Sequence, residues 1–195
     1  MSNSRLVLKA HLMDSGMMAR AMRRLAHEIT EKNKGAQGLV IVGILSRGEH
    51  MARRLCEEIY NIEGVRVPVG SIDVTYYRDD LTHVAVSPIL GGTDIPFDIN
   101  RKNVILVDDV IYTGRTVRAA IDALFRKGRP DKVQLAVMID RGLRELPFKP
   151  DFVGKNIPTS HSEKVEVHFA ERDGEDSVDI YLIEKEEDNE SDNQR

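Results

Sequence analysis

Residues Val104 to Thr116, reading VILVDDVIYTGRT, constrain this chain more than any other stretch. Four apolar residues of strand character, Val104 to Val107, lead into two adjacent carboxylates, Asp108 and Asp109, placed where a strand of that length should end. Val110, Ile111 and a small polar turn, Tyr112 to Thr116, come next. A helical pattern then starts at once, with Val117, Ala120, Ile121, Leu124 and Phe125 on one face and Arg115, Asp122 and Arg126 on another. Consecutive backbone N–H groups at a helix start, with Gly114 permitting a tight turn, suit a phosphate monoester. Thr113, Arg115 and Thr116 add hydroxyl and guanidinium donors. The acids repel such a phosphate, so they suit two sugar hydroxyls or the waters around a Mg²⁺ ion. Together these groups describe a sugar phosphate held from both ends.

Similar strand-to-loop junctions recur along the chain. Leu39 to Ile44 is a continuous apolar run, as expected of a strand covered on both faces. It leads through Ser46-Arg47-Gly48 into a helix with Met51, Leu55 and Ile59 inward. The G-x-x-x-x-G spacing of Gly43 and Gly48 is followed by Glu49-His50 where a triphosphate loop needs Lys-Ser/Thr. An anion held by amides and one guanidinium remains possible there. Val65 to Tyr76 and Val133 to Ile139 read as further strands, the second ending in Asp140-Arg141-Gly142. Asp151 to Val153 reads as one more short strand, followed by the turn formers of Gly154 to Ser160. Helices alternating with buried strands predict an α/β domain with a mainly parallel sheet. Ligands gather beyond the carboxyl ends of such strands. The loops 46–48, 108–116, 140–147 and 154–160 are therefore expected at one edge.

The remaining segments frame that sheet. Asp14 or Ser15 can cap a helix running to about Asn33, stopped by Lys34-Gly35. Met18, Met22, Leu25 and Ile29 fall within about 60° of one another on it. Arg20, Arg23, Arg24 and His27 lie opposite. That spacing fits both a solvated face and a basic stripe for phosphates. Leu6 to Leu8 reads as an edge strand, and Val165 to Phe169 with Val178 to Ile183 as an antiparallel hairpin. Residues 77–96 lose periodicity and collect Arg78, Asp79, Asp80, Pro88, Gly91 and Gly92, which points to a functional flap. Cys56 is the only cysteine and sits in a helical core pattern, so it reads as packing. His50, His83, His161 and His168 lack metal-ligand spacing and read as surface or structural.

Charge excludes one class of reading. The net charge is −4, from 28 basic and 32 acidic residues. The segment Glu184 to Arg195 holds six acids and two bases, so residues 1–183 carry 26 of each sign. A neutral body does not announce a nucleic-acid partner by total charge, and any such role needs a local patch. Residues 1–183 read as one domain and 184–195 as an acidic, disordered tail. No apolar run is long enough for a transmembrane helix, and the first residues lack a secretory layout, so the expected address is the cytoplasm.

Val104 to Thr116 resembles the phosphoribosyl pyrophosphate (PRPP) motif of type I phosphoribosyltransferases. Five further segments carry a narrower resemblance: Arg24 to Glu28, Val42 to Gly48, Asp73 to Leu81, Asp140 to Pro147 and Gly154 to Ser160. They are similar to the branch of uracil phosphoribosyltransferases that also regulate pyrimidine operons by attenuation. The resemblance implies a parallel sheet flanked by helices with a small hood or flap, and the reaction of uracil with PRPP to UMP and pyrophosphate. It further implies Mg²⁺, held indirectly by Asp108 and Asp109 with PRPP, and catalytic roles for Arg47, Arg78 and Asp109. PRPP and UMP contacts are implied for Ser46, Arg47, Asp108 to Thr116 (Val110 and Ile111 included), Arg141 and Val165. The Ser46-Arg47 loop is implied to bind pyrophosphate around an unusual cis peptide, and Arg78 to Asp80 to form a closing lid. Arg141 is the residue expected near the base or ribose.

The same resemblance implies binding of pyrimidine-operon leader mRNA with uridine nucleotides as co-regulators, and a homo-oligomer. Arg20, Arg23, Arg24 and His27 are the expected RNA surface, joined by Arg144 and Lys155 if the fold brings them close. Two other readings stay open on sequence alone. One is an RNA-binding nucleotide sensor with little turnover. The other is a phosphoribosyltransferase for a different base, because the motif reads the sugar phosphate.

Overall fold

The computed structural model describes residues 4–74 and 92–185 of the 195-residue chain. Arg78, Asp79, Asp80 and His83, with the greater part of the expected flap, lie outside the described residues, as do residues 186–195 of the acidic segment. Two sheets organise the rest. Five parallel strands run in the order β3-β2-β4-β5-β6. They are β2 (Leu39–Ile44), β3 (Val69–Ile72), β4 (Asn103–Ile111), β5 (Lys132–Asp140) and β6 (Phe152–Asn156). A smaller antiparallel sheet has the order β1-β8-β7, from β1 (Ser4–Met13), β7 (Glu163–His168) and β8 (Ser177–Lys185).

Strand alternation divides the core. Ile41, Ile105, Val107, Ala136 and Met138 face the side covered by α1 (Ser15–Asn33) and α2 (Arg47–Glu63). Val40, Val42, Ile44, Val104, Leu106, Leu135 and Val137 face α3 (Arg115–Lys127). All six residues of β2 are buried, which explains its unbroken apolar run. Val165, Val167, Phe169, Val178 and Ile180 join the first of these clusters, so the small sheet is anchored through the α1–α2 side. Full burial of an apolar side chain such as Leu25 or Ile29 contributes about 1.5–3 kcal/mol.

Local signals set the helix ends. Asp14 Oδ1 accepts from the Met17 N–H at 2.7 Å and caps α1. Lys34 closes the helix in the left-handed region, φ 60°. Met18, Met22, Leu25 and Ile29 are buried as their spacing requires. Cys56 is buried too, with its thiol on the Val67 carbonyl, and burial pushes its pKa upward.

Several boundaries differ from the sequence expectation. β4 continues through Asp108 and Asp109 to Ile111, because its ladder with β5 extends to the Ile111–Asp140 pair. β1 covers ten residues rather than Leu6 to Leu8, since it pairs with β8 along its length. Among the described residues of the Val65 to Tyr76 run, Val69–Ile72 form the strand; Thr75 and Tyr76 lie outside the described residues. Gly154 to Asn156, read as turn formers, belong to β6, where Lys155 pairs with Ile139. The expected hairpin exists, with a short helix α4 (Ala170–Asp173) between its strands. Glu184 and Lys185 belong to β8, so the strand runs two residues into the acidic segment.

One ion pair spans the small sheet. Lys9 on β1 reaches across β8 to Glu163 at the start of β7. Lys9 and the Ser160 N–H hold the Glu163 carboxyl down at about 2. A carboxylate depressed in the folded state contributes stability above its unfolded value, and that contribution is lost as pH falls through the folded value. Denaturant midpoints followed from about pH 5 to about pH 2.5 should therefore fall more steeply for the wild type than for Glu163→Gln. Parallel curves would contradict this assignment.

Candidate active site at the carboxyl edge of the parallel sheet

A cavity of about 730 Å³ opens beyond the carboxyl ends of β2 and β4. That size lies within the range of small-ligand sites. Its walls are Leu45 to Arg47, Asp108 to Val117 and Lys164 to Glu166, with Arg141 and Glu145. Ser46, Arg47, Asp108, Asp109, Val110, Ile111, Tyr112, Thr113, Gly114, Arg115, Thr116, Arg141 and Val165 thus meet at one place, although four separate elements supply them.

Two glycines permit that meeting. A Cβ on Gly48 would lie 2.5 Å from the Val107 carbonyl oxygen and 3.2 Å from Asp108 Cα. The start of α2 therefore rests directly on β4 at Val107 and Asp108. Gly114 has φ 93° at the N-terminus of α3, a conformation that L side chains rarely adopt. The first-turn N–H groups of α3 have no acceptor within the helix. The Arg115 N–H meets Thr113 Oγ1 at 3.3 Å. The peptide bond Leu45–Ser46 is cis.

The turn is braced from the β5 side. Thr113 O accepts the Glu145 and Leu146 N–H groups, each at 3.0 Å. Arg115 pairs with Glu145 at 2.8 Å. Arg144 donates to the Tyr112 carbonyl at 2.7 Å and to the Gly142 and Phe148 carbonyls, and it pairs with Asp140 at 2.6 Å. Its guanidinium therefore ties the 140–148 segment to the end of β4.

The acids differ in surroundings. Asp108 is buried, and its Oδ1 accepts the Asp109 N–H at 3.0 Å. Burial raises the pKa of Asp109, opposed by hydrogen bonds from Asp108 and the Val110 N–H and by the charge of Arg47. The two carboxylates form no cluster of three or more metal-ligating side chains among the described residues. Such a pair fits a Mg²⁺ ion that keeps waters and substrate oxygens, not an all-protein cage.

Arg141 is buried, and three of its contacts are internal. Nε donates to Thr159 Oγ1 at 2.9 Å, and Nη2 to the carbonyls of Ser160 at 3.0 Å and Glu163 at 2.6 Å. The guanidinium lies 4.2 Å above the Tyr112 ring, while Tyr112 Oη meets His161 Nδ1 at 3.0 Å. Burial lowers the Arg141 pKa, against the Tyr112 and Glu163 charges. The 157–162 loop consequently stands at the same edge, held through Arg141, without lining the cavity.

The basic stripe on α1 is exposed but not uniform. Arg23 approaches Glu58 at 3.5 Å, while Arg24 pairs with Glu28 at 2.7 Å and donates to the Val153 and Gly154 carbonyls. Lys155 donates to the Leu12 carbonyl at 3.0 Å. Arg20 and His27 stand on the exposed face. Sequence reasoning missed Lys164, Glu166 and Glu145 as cavity walls. Only the alternation of β7 could have indicated that residues flanking Val165 point differently from it.

Known structures show the same architecture. The Trypanosoma cruzi hypoxanthine phosphoribosyl transferase superposes with a TM-score of 0.69 at 24% identity, covering 91% of this chain and 92% of that one. A Staphylococcus aureus hypoxanthine phosphoribosyltransferase gives 0.65 at 21%, covering 91% and 93%. At such identities the likeness shows the phosphoribosyltransferase fold. The sequence profile of the phosphoribosyl transferase domain matches residues 10–171. The bifunctional protein PyrR of Brevibacillus brevis is 56% identical over 175 residues, covering 90% of this chain and 98% of its own. That of Clostridioides difficile is 54% identical over 175 residues, covering 90% and 99%. The chain belongs to the phosphoribosyltransferase family and, within it, to the bifunctional PyrR proteins.

Asp109 carries a testable cost. A carboxyl whose folded pKa is raised opposes folding as pH rises from its unfolded value through its folded one. Asp109→Asn removes that opposition, so the ligand-free variant should be more stable than wild type at pH 7 and should lose that advantage below about pH 3.8. Thermal melts at the two pH values check this, and a variant less stable at pH 7 contradicts it.

Proposed function

We propose that this protein transfers a 5-phosphoribosyl group from PRPP to uracil, giving UMP and pyrophosphate. It also binds the leader of pyrimidine-operon mRNA in response to uridine nucleotides. The observation that carries the catalytic reading is the convergence of Asp108 to Thr116 with the Ser46-Arg47 turn on one cavity. Membership of the bifunctional PyrR proteins supports the pairing with regulation.

In this reading the 5′-phosphate takes the N–H groups and hydroxyls of Tyr112 to Thr116 at the start of α3. Asp108 and Asp109 take the ribose hydroxyls. Ser46 and Arg47 face the diphosphate, and uracil lies beside Val165 and the stacked Arg141–Tyr112 pair. Arg141 holds the 157–163 segment in place there, since three of its donor contacts are to protein oxygens. The C1–O bond to pyrophosphate breaks with its electron pair leaving on the phosphate oxygen. The C1–N1 bond to uracil forms as the N1 proton is lost. The state between resembles the oxocarbenium ion of glycoside cleavage. Such a step needs charge stabilisation, a held ribose and little water. No covalent intermediate with the protein is required. Mg²⁺, when bound with PRPP, neutralises diphosphate charge. Arg78 is included in the proposal as a further catalytic arginine.

For RNA, the exposed α1 face with Arg20, Arg23 and His27 is the proposed surface, with Arg24 at its edge. Guanidinium planes there can pair with phosphates and stack on unpaired bases. Leu6 and Leu8, 40% and 45% exposed on edge strand β1, offer an apolar face for a homo-oligomer. No described helix is long and apolar enough to cross a membrane, and a cytoplasmic address fits both substrates.

Incubation with PRPP, Mg²⁺ and each nucleobase tests the catalytic half. UMP should form from uracil, and Asp109→Asn should reduce the rate by about 10²-fold or more. Nucleotide formed from another base, or none at all, overturns the uracil reading. Replacing Arg20 and His27 together by Ala should weaken leader RNA binding about tenfold or more and flatten its salt dependence, with UMP synthesis within about twofold of wild type. Undiminished RNA affinity would remove α1 from the RNA surface.

A further inference from the structure

An ion pair joins the start of α2 to the connection between β7 and β8 of the small antiparallel sheet. Arg47 Nη2 meets Asp173 Oδ1 at 3.2 Å. Arg47 is the first residue of α2, and Asp173 is the last residue of α4, between β7 and β8. Asp173 is firmly placed. Its Oδ2 accepts the Phe169 N–H at 3.0 Å, and its side chain is only 17% exposed. Burial pushes its pKa upward, but the Phe169 N–H and Arg47 outweigh that effect and leave it below the ordinary value. It is therefore a carboxylate at neutral pH. Two other side chains approach it, Arg172 Nε at 3.9 Å and the His168 imidazole Nδ1 at 3.8 Å, both beyond hydrogen-bonding distance.

Among the described residues, the bond to Asp173 is the side-chain hydrogen bond of Arg47, which also feels the Asp109 charge. Its Nε is buried without a hydrogen-bond partner. A guanidinium at the mouth of an anion site gains binding only if its donors point at the ligand in advance, because ordering a long side chain on binding costs entropy. One bond to a fixed carboxylate restricts the rotation of Arg47 and leaves other donors for a ligand. Asp173 itself does not line the cavity, whereas Arg47 does. A carboxylate outside the cavity, fixed in the α4 connection between β7 and β8, has the geometry of a support.

Resting on the proposed PRPP site, we propose that Asp173 is a positioning residue that holds Arg47 toward the diphosphate of the bound sugar phosphate. The small sheet thereby has a direct part in recognising the leaving group. UMP lacks the diphosphate, so its binding does not draw on this pair.

Calorimetric titration of wild type, Asp173→Asn and Asp173→Glu with PRPP plus Mg²⁺, and separately with UMP, tests the inference. Asparagine keeps an oxygen for the Phe169 N–H and removes the charge. Asp173→Asn should lose about tenfold in PRPP affinity, the loss expected for a charge-assisted hydrogen bond, while its UMP affinity stays within about twofold. Asp173→Glu should recover part of the PRPP affinity. Equal losses for PRPP and UMP would show a merely structural role and overturn the proposal. PRPP binding that is unchanged or tightened in Asp173→Asn would overturn it as well. A wild type that binds no PRPP overturns the substrate reading together with this one. A wild type that binds PRPP but makes no UMP overturns the uracil reading alone.

Discussion

The contact between the start of α2 and β4 at Val107 governs the rest of the site. Gly48 approaches so closely that any side chain would enter the space of the Val107 carbonyl. Gly43, within β2, makes the matching allowance, since a Cβ there would lie 2.5 Å from the Gly48 carbonyl oxygen. Parallel pairing of β2 with β4 then brings Arg47 and Asp109 to one cavity. Without that approach, the two loops would present separate anion-binding turns. With it, a diphosphate and a phosphate can be held at opposite ends of one sugar.

The site also shows how stability is given up for binding. Asp109 is held against its preference for water, beside Asp108 and within reach of the Arg47 charge. The surrounding framework compensates through buried apolar residues on both faces of the sheet and through backbone braces such as Arg144. That arginine is a structural element of the turn, because it satisfies three carbonyl oxygens at 2.7–3.1 Å and one carboxylate. Charge-assisted hydrogen bonds of this kind are stronger than neutral ones and limit the motion of the segment they join.

Much of the parallel sheet was legible from local pattern. Val104 to Thr116 declares strand, turn and helix start because periodicity changes at Gly114. Asp14 declares the start of α1 by its capping chemistry. The small sheet was less legible, since β1 and β8 are more than 160 residues apart and their pairing leaves no local mark. The same reason hid the Arg47–Asp173 pair, 126 positions apart. Lys155 and Arg144 look like free surface cations in sequence, and only tertiary structure supplies the carbonyls that engage them. Arg24 likewise reads as part of a uniform stripe until its contacts with β6 are seen. The strand extension through Asp108 and Asp109 was missed because carboxylates are poor strand formers, a preference that pairing with β5 overrides.

The proposed function requires one cavity to hold a ribose phosphate between the α3 N-terminus and the Ser46-Arg47 turn. A crystal structure of the protein with bound UMP tests it most directly. The 5′-phosphate should lie within hydrogen-bonding distance of the Tyr112 to Thr116 backbone amides, with the ribose hydroxyls against Asp108 and Asp109. A nucleotide with its phosphate elsewhere, or with those two carboxylates turned away from the sugar, would contradict it.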